Sequence, residues 1–193
     1  MPSKLRRSYK KKKRSVRRTM RQSGGKKELV ELIIGDESSL IPDEADAIKQ
    51  LTALDANIRL DLHGVLDIIP EDKKIKKHEH DKICVISFVG RNSTTRTDAR
   101  EEIKRRIKNN QIDFGLLVFD RGSGSKRDIF SKAGGKAWAN KHIKCTEKCV
   151  FIDDSSDHVN STVSLLGDSP VKSVHFESED PKEIIEKIYE SLA

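Results

Sequence analysis

The chain has 193 residues, of which 35% are hydrophobic and 36% are charged, and its formal net charge is +7. This length fits one domain of ordinary size with a tail. No apolar run approaches the ~20 residues that a membrane-spanning helix needs, so the sequence excludes an integral helical membrane protein and predicts a soluble one.

The positive charge is concentrated at the amino end. Residues 1–27 contain 13 Lys or Arg and no acid, which leaves 25 basic and 31 acidic residues in 28–193. With so little apolar material, residues 1–27 are expected to be a disordered basic arm. Such an arm is suited to nucleic acid, because neutralising phosphates releases counterions; an import signal or a solubilising tail is the alternative. The residues expected to bind nucleic acid are Lys4, Arg6, Arg7, Lys10, Lys11, Lys12, Lys13, Arg14, Arg17, Arg18 and Arg21.

The interval 28–56 is expected to be an amino-terminal extension that packs on the main domain, which begins at residue 57. It contains an apolar patch at 29–34. Pro42 is well placed to begin a short helix after this patch. No function is predicted for the interval.

Asp61 lies at the end of a predicted strand. Ile58, Leu60 and Leu62 alternate with polar residues, which is typical of a strand with one buried face. Gly64 then favours a sharp turn. Since open α/β sheets bind ligands at the carboxyl ends of their strands, Asp61 is a candidate site residue.

The interval 67–82 links this strand to the next apolar run at 83–87. Its sixteen residues are too few for a folded insertion and predict a hairpin-like flap. His78 and His80 lie in it and are interpreted most simply as solvated loop residues. A flap histidine that reaches the Asp61 turn is the alternative.

A helix is predicted from about residue 93, and its outer face is basic. Solvation of an ordinary helix face is the commoner explanation, and a second surface for phosphates is the alternative. The basic residues of this face are Arg100, Lys104, Arg105, Arg106 and Lys108.

A second acidic strand end occurs at 149–155, where an apolar run stops at Asp153 and Asp154. Carboxylates from two converging strands are suited to a hard cation such as Mg²⁺. Strands alternate with helices along the rest of the chain, which predicts an α/β fold with a parallel sheet and helices on both faces.

The three cysteines are an odd number and no secretory signal precedes them, which predicts an intracellular, reducing compartment, such as the nucleus or a nucleic-acid-containing particle. Cys84 and Cys149 lie on apolar runs and are expected to be buried. A zinc pair of Cys145 and Cys149 is less favoured, because no second ligand pair with suitable spacing is present in the sequence.

Four motifs from about residue 57 onward resemble, in order and spacing, those of the haloacid dehalogenase-like (HAD) superfamily of phosphohydrolases and relatives. Residues 61–66, Asp-Leu-His-Gly-Val-Leu, resemble its first motif, Asp-x-Asp-Gly-(Thr/Val)-Leu. Residues 83–87 resemble the second, an apolar strand that ends in Ser or Thr. Lys136 or Lys132 could supply the lysine of the third motif, and 151–154, Phe-Ile-Asp-Asp, resemble the fourth.

The resemblance implies a HAD-like (Rossmann-like) domain at 57–193 and a Mg²⁺-dependent phosphatase mechanism. Asp61 would be the nucleophile that forms an aspartyl-phosphate. Ser87 would donate a hydrogen bond to the phosphoryl group, and Lys136, or else Lys132, would compensate its charge. The residues implied to bind Mg²⁺ are Asp61, His63 through its backbone carbonyl, Asp153 and Asp154.

His63 stands where the superfamily has the second acid of its first motif. Imidazole can protonate a leaving oxygen and activate water near neutral pH, so His63 is the expected acid/base. One prediction is therefore slow hydrolysis of phosphomonoesters. The other is a catalytically degenerate site that binds phosphate or metal without turnover.

The expected substrate follows from the absence of a cap. No cap domain fits in 67–82 or in 121–135, so the site is expected to be open to solvent. An open site admits the end or side of a macromolecule and does not enclose a small metabolite. Together with the basic arm, this predicts a phosphorylated macromolecule such as a polynucleotide end or a phosphoprotein.

Residues 60–64, Leu-Asp-Leu-His-Gly, also resemble the corresponding motif of Smr nucleic-acid-binding domains. That alternative needs a helix directly after the motif, and Pro70 interrupts one. An Smr domain would end before residue 150 and would leave 151–154 unexplained, so it is the more distant alternative.

Overall fold

The structure is a computed structural model that describes residues 29–34, 44–89, 93–120 and 132–193. The basic arm and its predicted nucleic-acid-binding residues lie outside the described residues, as does Pro42.

The described residues alternate strands and helices. The strands are β1 Leu29–Ile34, β2 Ile58–Leu60, β3 Ile83–Val89, β4 Phe114–Asp120, β5 Cys149–Asp153 and β6 Val171–His175. The helices are α1 Glu44–Thr52, α2 Ser93–Lys108, α3 Lys132–His142, α4 Ser156–Leu166 and α5 Pro181–Leu192. A short helical turn, Leu62–Leu66, follows β2 directly.

The strands form one sheet in the order β1-β4-β3-β2-β5-β6, and all neighbouring pairs are parallel. Every residue of β2 and β5 is buried, as expected for central parallel strands covered on both faces. The predicted α/β class with a parallel sheet is confirmed. Because β5 pairs directly with β2, residues after 150 belong to the same sheet, which contradicts the Smr alternative.

Helices cover both faces of the sheet. On one face α2 and α5 bury Ile103 and Ile188 in the same cluster as Val85 of β3. On the opposite face Trp138 of α3 packs in a cluster with Ile86. Since Val85 and Ile86 are successive strand residues, their side chains point to opposite faces. Leu60 belongs to the first cluster, so the residue that follows it turns toward the α3 face.

The interval predicted as an extension contributes to this sheet and to one of its covers. β1 pairs along its whole length with β4, so it is an edge strand rather than a separate unit. α1 buries Leu51 in the cluster that contains Trp138 of α3. The extension therefore packs on the main domain, and the two are continuous through the sheet.

The interval 67–82 is a crossover from the carboxyl end of β2 to the amino end of β3. Ile69 and Ile75 are buried in the cluster beneath α2 and α5. At its end Asp81 accepts a hydrogen bond from Asn57, which precedes β2, and His78 contacts the ring of Tyr189. This interval therefore ends at the opposite edge of the sheet from the Asp61 turn, and the prediction of a flap histidine reaching that turn is wrong.

The basic face predicted on α2 is largely neutralised. Arg106 is buried and bonds to Glu102, Gln111 and the carbonyl of Ile69. Arg105 pairs with Glu71 and Glu102, and Lys104 pairs with Glu101. These pairings favour the ordinary helix face over a second phosphate-binding surface.

The cysteines differ from the prediction in one respect. Cys84 and Cys149 are buried, as expected, and burial raises the pKa of the Cys84 thiol to about 12, so it is unreactive near neutral pH. Cys145 and Cys149, however, are joined in a disulfide, which the sequence did not predict. Disulfides are typical of oxidising environments, so the expected reducing compartment stays a prediction.

Within the described residues, no helix has the length and apolarity to cross a membrane.

Candidate metal and phosphoryl-transfer site

Asp61 is held at the carboxyl end of β2 by backbone hydrogen bonds. Its N–H donates to the carbonyl of Ile152 in β5 at 2.9 Å, and its carbonyl accepts from Leu66 at 3.1 Å, which closes the turn. The turn passes through Gly64, whose φ of 77° favours glycine. A Cβ at Gly64 would lie 2.3 Å from Oδ2 of Asp154, so glycine also lets the two strand ends approach each other.

Asp153 ends β5, beside Asp61, and is fully buried. Its Oδ1 accepts a hydrogen bond from the backbone N–H of Ser155 at 2.9 Å. His158, in the first turn of α4, places its Nδ1 2.8 Å from Oδ1 and 3.0 Å from Oδ2 of the same carboxylate. The imidazole and the chain turn together fix the orientation of Asp153.

Lys136 reaches the same point from α3, and its side chain is buried. Its Nζ lies 2.7 Å from Oδ1 of Asp61, 2.7 Å from Oδ2 of Asp153 and 3.0 Å from Nδ1 of His158. Gly135 allows this close approach of helix to sheet, because a Cβ there would meet Val118 of β4 at 3.1 Å. One ammonium therefore joins the ends of the two central strands.

A second buried cation fixes the far end of α3. Arg59 of β2 is fully buried and donates to the carbonyls of Asn140, Ile143 and Lys144 at 2.7–3.3 Å. Asn140 in turn donates to the carbonyl of Lys136 at 3.1 Å. These bonds satisfy the last carbonyls of the helix and anchor to β2 the helix that carries Lys136.

The two carboxyl groups have opposite pKa shifts. Burial raises the pKa of Asp61 above its ordinary value, and the neighbouring charge of Asp153 adds to the rise although Lys136 opposes it. Burial acts on Asp153 in the same direction, but its hydrogen bond with His158 and the charge of Lys136 lower its pKa below the ordinary value. Asp153 is therefore the fixed carboxylate of the pair, and Asp61 is the one whose charge is less well compensated.

The cluster fits a metal ion. Within the described residues, Asp61, Asp153 and His158 offer ligand atoms that all lie within 4.8 Å of one another. Two of the predicted ligands, Asp61 and Asp153, are brought together as expected. Asp154 lies outside this set: its side chain is exposed, and its carboxylate packs against Gly64.

His63 also lies outside the buried cluster. Its side chain is 59% exposed, and its Nδ1 lies 3.8 Å from Oδ2 of Asp67. The predicted acid/base residue is thus at the solvent side of the turn, two residues after Asp61.

The structure describes the side chain of Ser87, one of the predicted phosphate-binding residues, but not that of Lys132. Ser87 is buried at the same edge of the sheet, and its hydroxyl has no hydrogen-bond partner among the described residues. Leu60 pairs with Val85, so Ser87 lies one residue further along β3 than the position of Asp61. The side chain of Ser87 points to the same face of the sheet as that of Val85. Lys132 begins α3, one turn before Lys136, and its side chain lies outside the described residues.

His158 is the site residue that sequence reasoning missed. The available signal was its position five residues after Asp153, across a turn and at the start of a helix. That spacing directs a side chain back to the strand end only if α4 begins at Ser156 and its first turn lies over the end of β5. Neither condition can be read from the residues alone.

The arrangement is chemically suited to bind a cation and a phosphoryl group at one strand end, since it combines carboxylates, an imidazole and an ammonium. No model of a known protein family matches the chain, and no curated protein or solved structure is significantly similar to it.

Proposed function

We propose that the protein is a Mg²⁺-dependent phosphohydrolase of the HAD-like type, with Asp61 as its nucleophile and a nucleic-acid-associated macromolecule as its substrate. The observation that carries the proposal is the buried ammonium of Lys136, 2.7 Å from a carboxylate oxygen of Asp61 and 2.7 Å from one of Asp153. Charge-compensated carboxylates at the ends of central parallel strands are an arrangement suited to phosphoryl transfer.

In the proposed reaction a carboxylate oxygen of Asp61 attacks phosphorus, and the bond from phosphorus to the leaving oxygen breaks. Water then attacks the aspartyl-phosphate, which releases inorganic phosphate and restores the carboxylate. Lys136 offsets the negative charge that would otherwise repel the phosphoryl group. Mg²⁺, held through Asp61 and Asp153, would neutralise the attacking carboxylate and the phosphoryl oxygens.

His63 remains the proposed acid/base residue. Its exposure on the turn after Asp61 leaves the imidazole accessible to a leaving group that arrives from solvent. His158 is not suited to that role, because it is buried and bonded to the Asp153 carboxylate. In the metal-free site, His158 holds Asp153 in position.

The proposed substrate class rests on charge and on the course of the chain. The crossover 67–82 leads away from the Asp61 turn, so this interval does not enclose a ligand there. The 13 basic residues of the arm favour a polyanion. A polynucleotide end or a phosphoprotein satisfies both conditions.

A second candidate function is metal or phosphate binding without turnover. Burial raises the pKa of Asp61, which makes the carboxylate form less favoured than in an exposed aspartate. The two candidates differ in whether a bound phosphomonoester is hydrolysed.

The test is a Mg²⁺-dependent assay with a small chromogenic phosphomonoester, run on the full chain and on Asp61→Asn. Asp157→Asn is the matched control, because Asp157 is an exposed acid in the first turn of α4. We expect slow hydrolysis by the wild type and the control, and none by Asp61→Asn. Metal binding without hydrolysis would support the second candidate, and the absence of both would contradict the two together.

A further inference from the structure

We infer that a metal ion and the ammonium of Lys136 are alternative occupants of the space between Asp61, Asp153 and His158. An ion bonds to all three residues only after Lys136 has left the cluster. The inference rests on the proposed function in one respect, that Asp61 and Asp153 are metal ligands. It adds His158 as the third ligand and Lys136 as a competitor built into the site.

The three residues form a compact and buried donor set. The ligand atoms of the three residues lie within 4.8 Å of one another, and each of the three residues is at least 95% buried. With metal–ligand bonds of about 2.1 Å, two ligand atoms of one Mg²⁺ or Mn²⁺ ion lie at most about 4.2 Å apart, so small movements of these side chains bring all three atoms within reach of one ion. An imidazole beside two carboxylates makes the set suitable for Mn²⁺ as well as Mg²⁺.

The ammonium of Lys136 already lies close to these atoms. Nζ of Lys136 lies within 3.0 Å of an atom of each of the three residues. An ion bonded to all three would therefore lie no more than about 5 Å from the ammonium if Lys136 stayed in place.

Electrostatic repulsion opposes the binding of both cations at once. Lys136 is 1% exposed, so little water is available to screen a divalent ion from the ammonium. At low effective dielectric, repulsion between like charges at this separation is strong. Two carboxylates carry two negative charges, whereas a divalent ion and the ammonium together carry three positive charges. The carboxylates therefore cannot neutralise both cations at once. Exclusive occupancy follows.

The consequence is a site that is stable without metal and whose apparent affinity for an ion is lowered by the free energy needed to displace Lys136. In the metal-free state Lys136 supplies the positive charge that two buried carboxylates require. When the ion enters, the released ammonium is free to meet a phosphoryl group at the carboxyl edge of the sheet.

The first test measures Mn²⁺ binding directly, through the electron paramagnetic resonance signal of the free ion. Lys136→Met removes the competing charge and keeps an unbranched side chain that is one atom shorter. Lys141→Met is the matched control, because Lys141 is an exposed lysine of the same helix. We expect Lys136→Met to bind Mn²⁺ at least about tenfold more tightly than the control. Equal affinities of the two variants would overturn the inference.

The second test identifies His158 as a ligand. Electron spin echo modulation from a ¹⁴N nucleus should appear when Mn²⁺ is bound to Lys136→Met and vanish in Lys136→Met/His158→Asn. The second substitution should also remove most of the gain in affinity. If the gain persists without His158, the effect of Lys136 is long-range repulsion alone, and the exclusive site is wrong.

The third test uses the unaltered protein, so it does not depend on any variant folding. Reductive methylation followed by mass spectrometry reports whether the Lys136 amine is accessible. We expect Lys136 to be protected without metal and methylated when Mn²⁺ saturates the protein. Protection that persists with Mn²⁺ bound would overturn the inference. None of these measurements uses hydrolysis, so failure of the proposed phosphatase activity and failure of the competition are observed separately.

Discussion

Two buried aspartates lie at opposite ends of the strands, which are called the amino edge and the carboxyl edge of the sheet, and their side chains have different surroundings. Asp81, at the amino edge, is 2% exposed and accepts hydrogen bonds from the hydroxyl of Tyr189 at 2.7 Å, from Asn57, and from two backbone N–H groups. Asp61, at the carboxyl edge, is 5% exposed and faces an ammonium and a second carboxylate.

The consequence of this difference lies in the pKa shifts. Burial would raise the pKa of Asp81, but its hydrogen bonds, led by the one from Tyr189, lower it below the ordinary value. The pKa of Asp61 stays raised. The charge of Asp81 is stabilised by hydrogen bonds from neutral groups, and Asp81 fastens the crossover 67–82 to α5. The charge of Asp61 depends on Lys136, which leaves Asp61 available to a ligand.

The largest expected effect concerns the carboxyl edge. Asp61→Asn should lower the phosphatase rate by at least about a thousandfold, because the amide cannot form the acyl-phosphate. Its midpoint of thermal unfolding should stay equal or rise, because a buried and poorly compensated charge is removed. Hydrolysis assays and calorimetry measure the two quantities. A variant that keeps its activity would remove Asp61 from the mechanism.

The reverse pattern is expected at the amino edge. Asp81→Asn should destabilise the protein by about 2–3 kcal/mol, because several hydrogen bonds to a buried carboxylate are lost or weakened. The Mn²⁺ affinity and the hydrolysis rate at a temperature where the variant is folded should be unchanged. Urea unfolding followed by circular dichroism gives the free energy. A loss of activity in the folded variant would mean that the two edges are coupled.

Gly64→Ala should have an intermediate effect. The φ of 77° and the contact of 2.3 Å that a Cβ would make with Asp154 predict a loss of about 1–2 kcal/mol and a displaced strand end. Gly167→Ala is the matched control, since Gly167 also has a positive φ but nothing lies within 4 Å of its Cβ position. Both variants should lose stability, and only Gly64→Ala should lose hydrolysis.

The smallest expected effect concerns the pH dependence of stability in the metal-free protein. Asp81 and Asp61 contribute to it with opposite signs. The lowered pKa of Asp81 means that its contribution is complete above its unfolded pKa and is lost as pH falls through the folded value. The raised pKa of Asp61 means that folding becomes less favourable as pH rises from its unfolded toward its folded value. Relative to wild type, Asp81→Asn should flatten the acid loss of stability, and Asp61→Asn should raise stability at neutral pH. Urea titrations at intervals of about one pH unit between pH 3 and 7 would show the opposite signs of the two pH dependences.

Local patterns predicted the acidic strand ends correctly. Alternation before Asp61 and an apolar run before Asp153 are properties of neighbouring residues, and parallel strands bring their carboxyl ends together. The spacing of motifs also selected Lys136, which the structure joins to both acids.

What could not be predicted depends on where segments travel in space. The interval 67–82 has the length of a flap, but Ile69 and Ile75 are buried beneath α2 and α5, so it crosses to the other edge. The position of His158 depends on where α4 begins and on how its first turn lies over the end of β5. The patch 29–34 is too short to show by periodicity that it pairs with β4. The resemblance to HAD proteins stays a prediction.

The short central strand β2 has a consequence for the order in which the protein matures. Ile58 pairs with Val150, 92 positions later in the chain, so closing this part of the sheet requires a large loop to be ordered first. During synthesis, Asp61 leaves the ribosome long before Asp153 and His158 do. The nascent chain therefore carries an incomplete site until His158 has been translated, and a product shortened before β5 would hold Asp61 without the partners that define its chemistry.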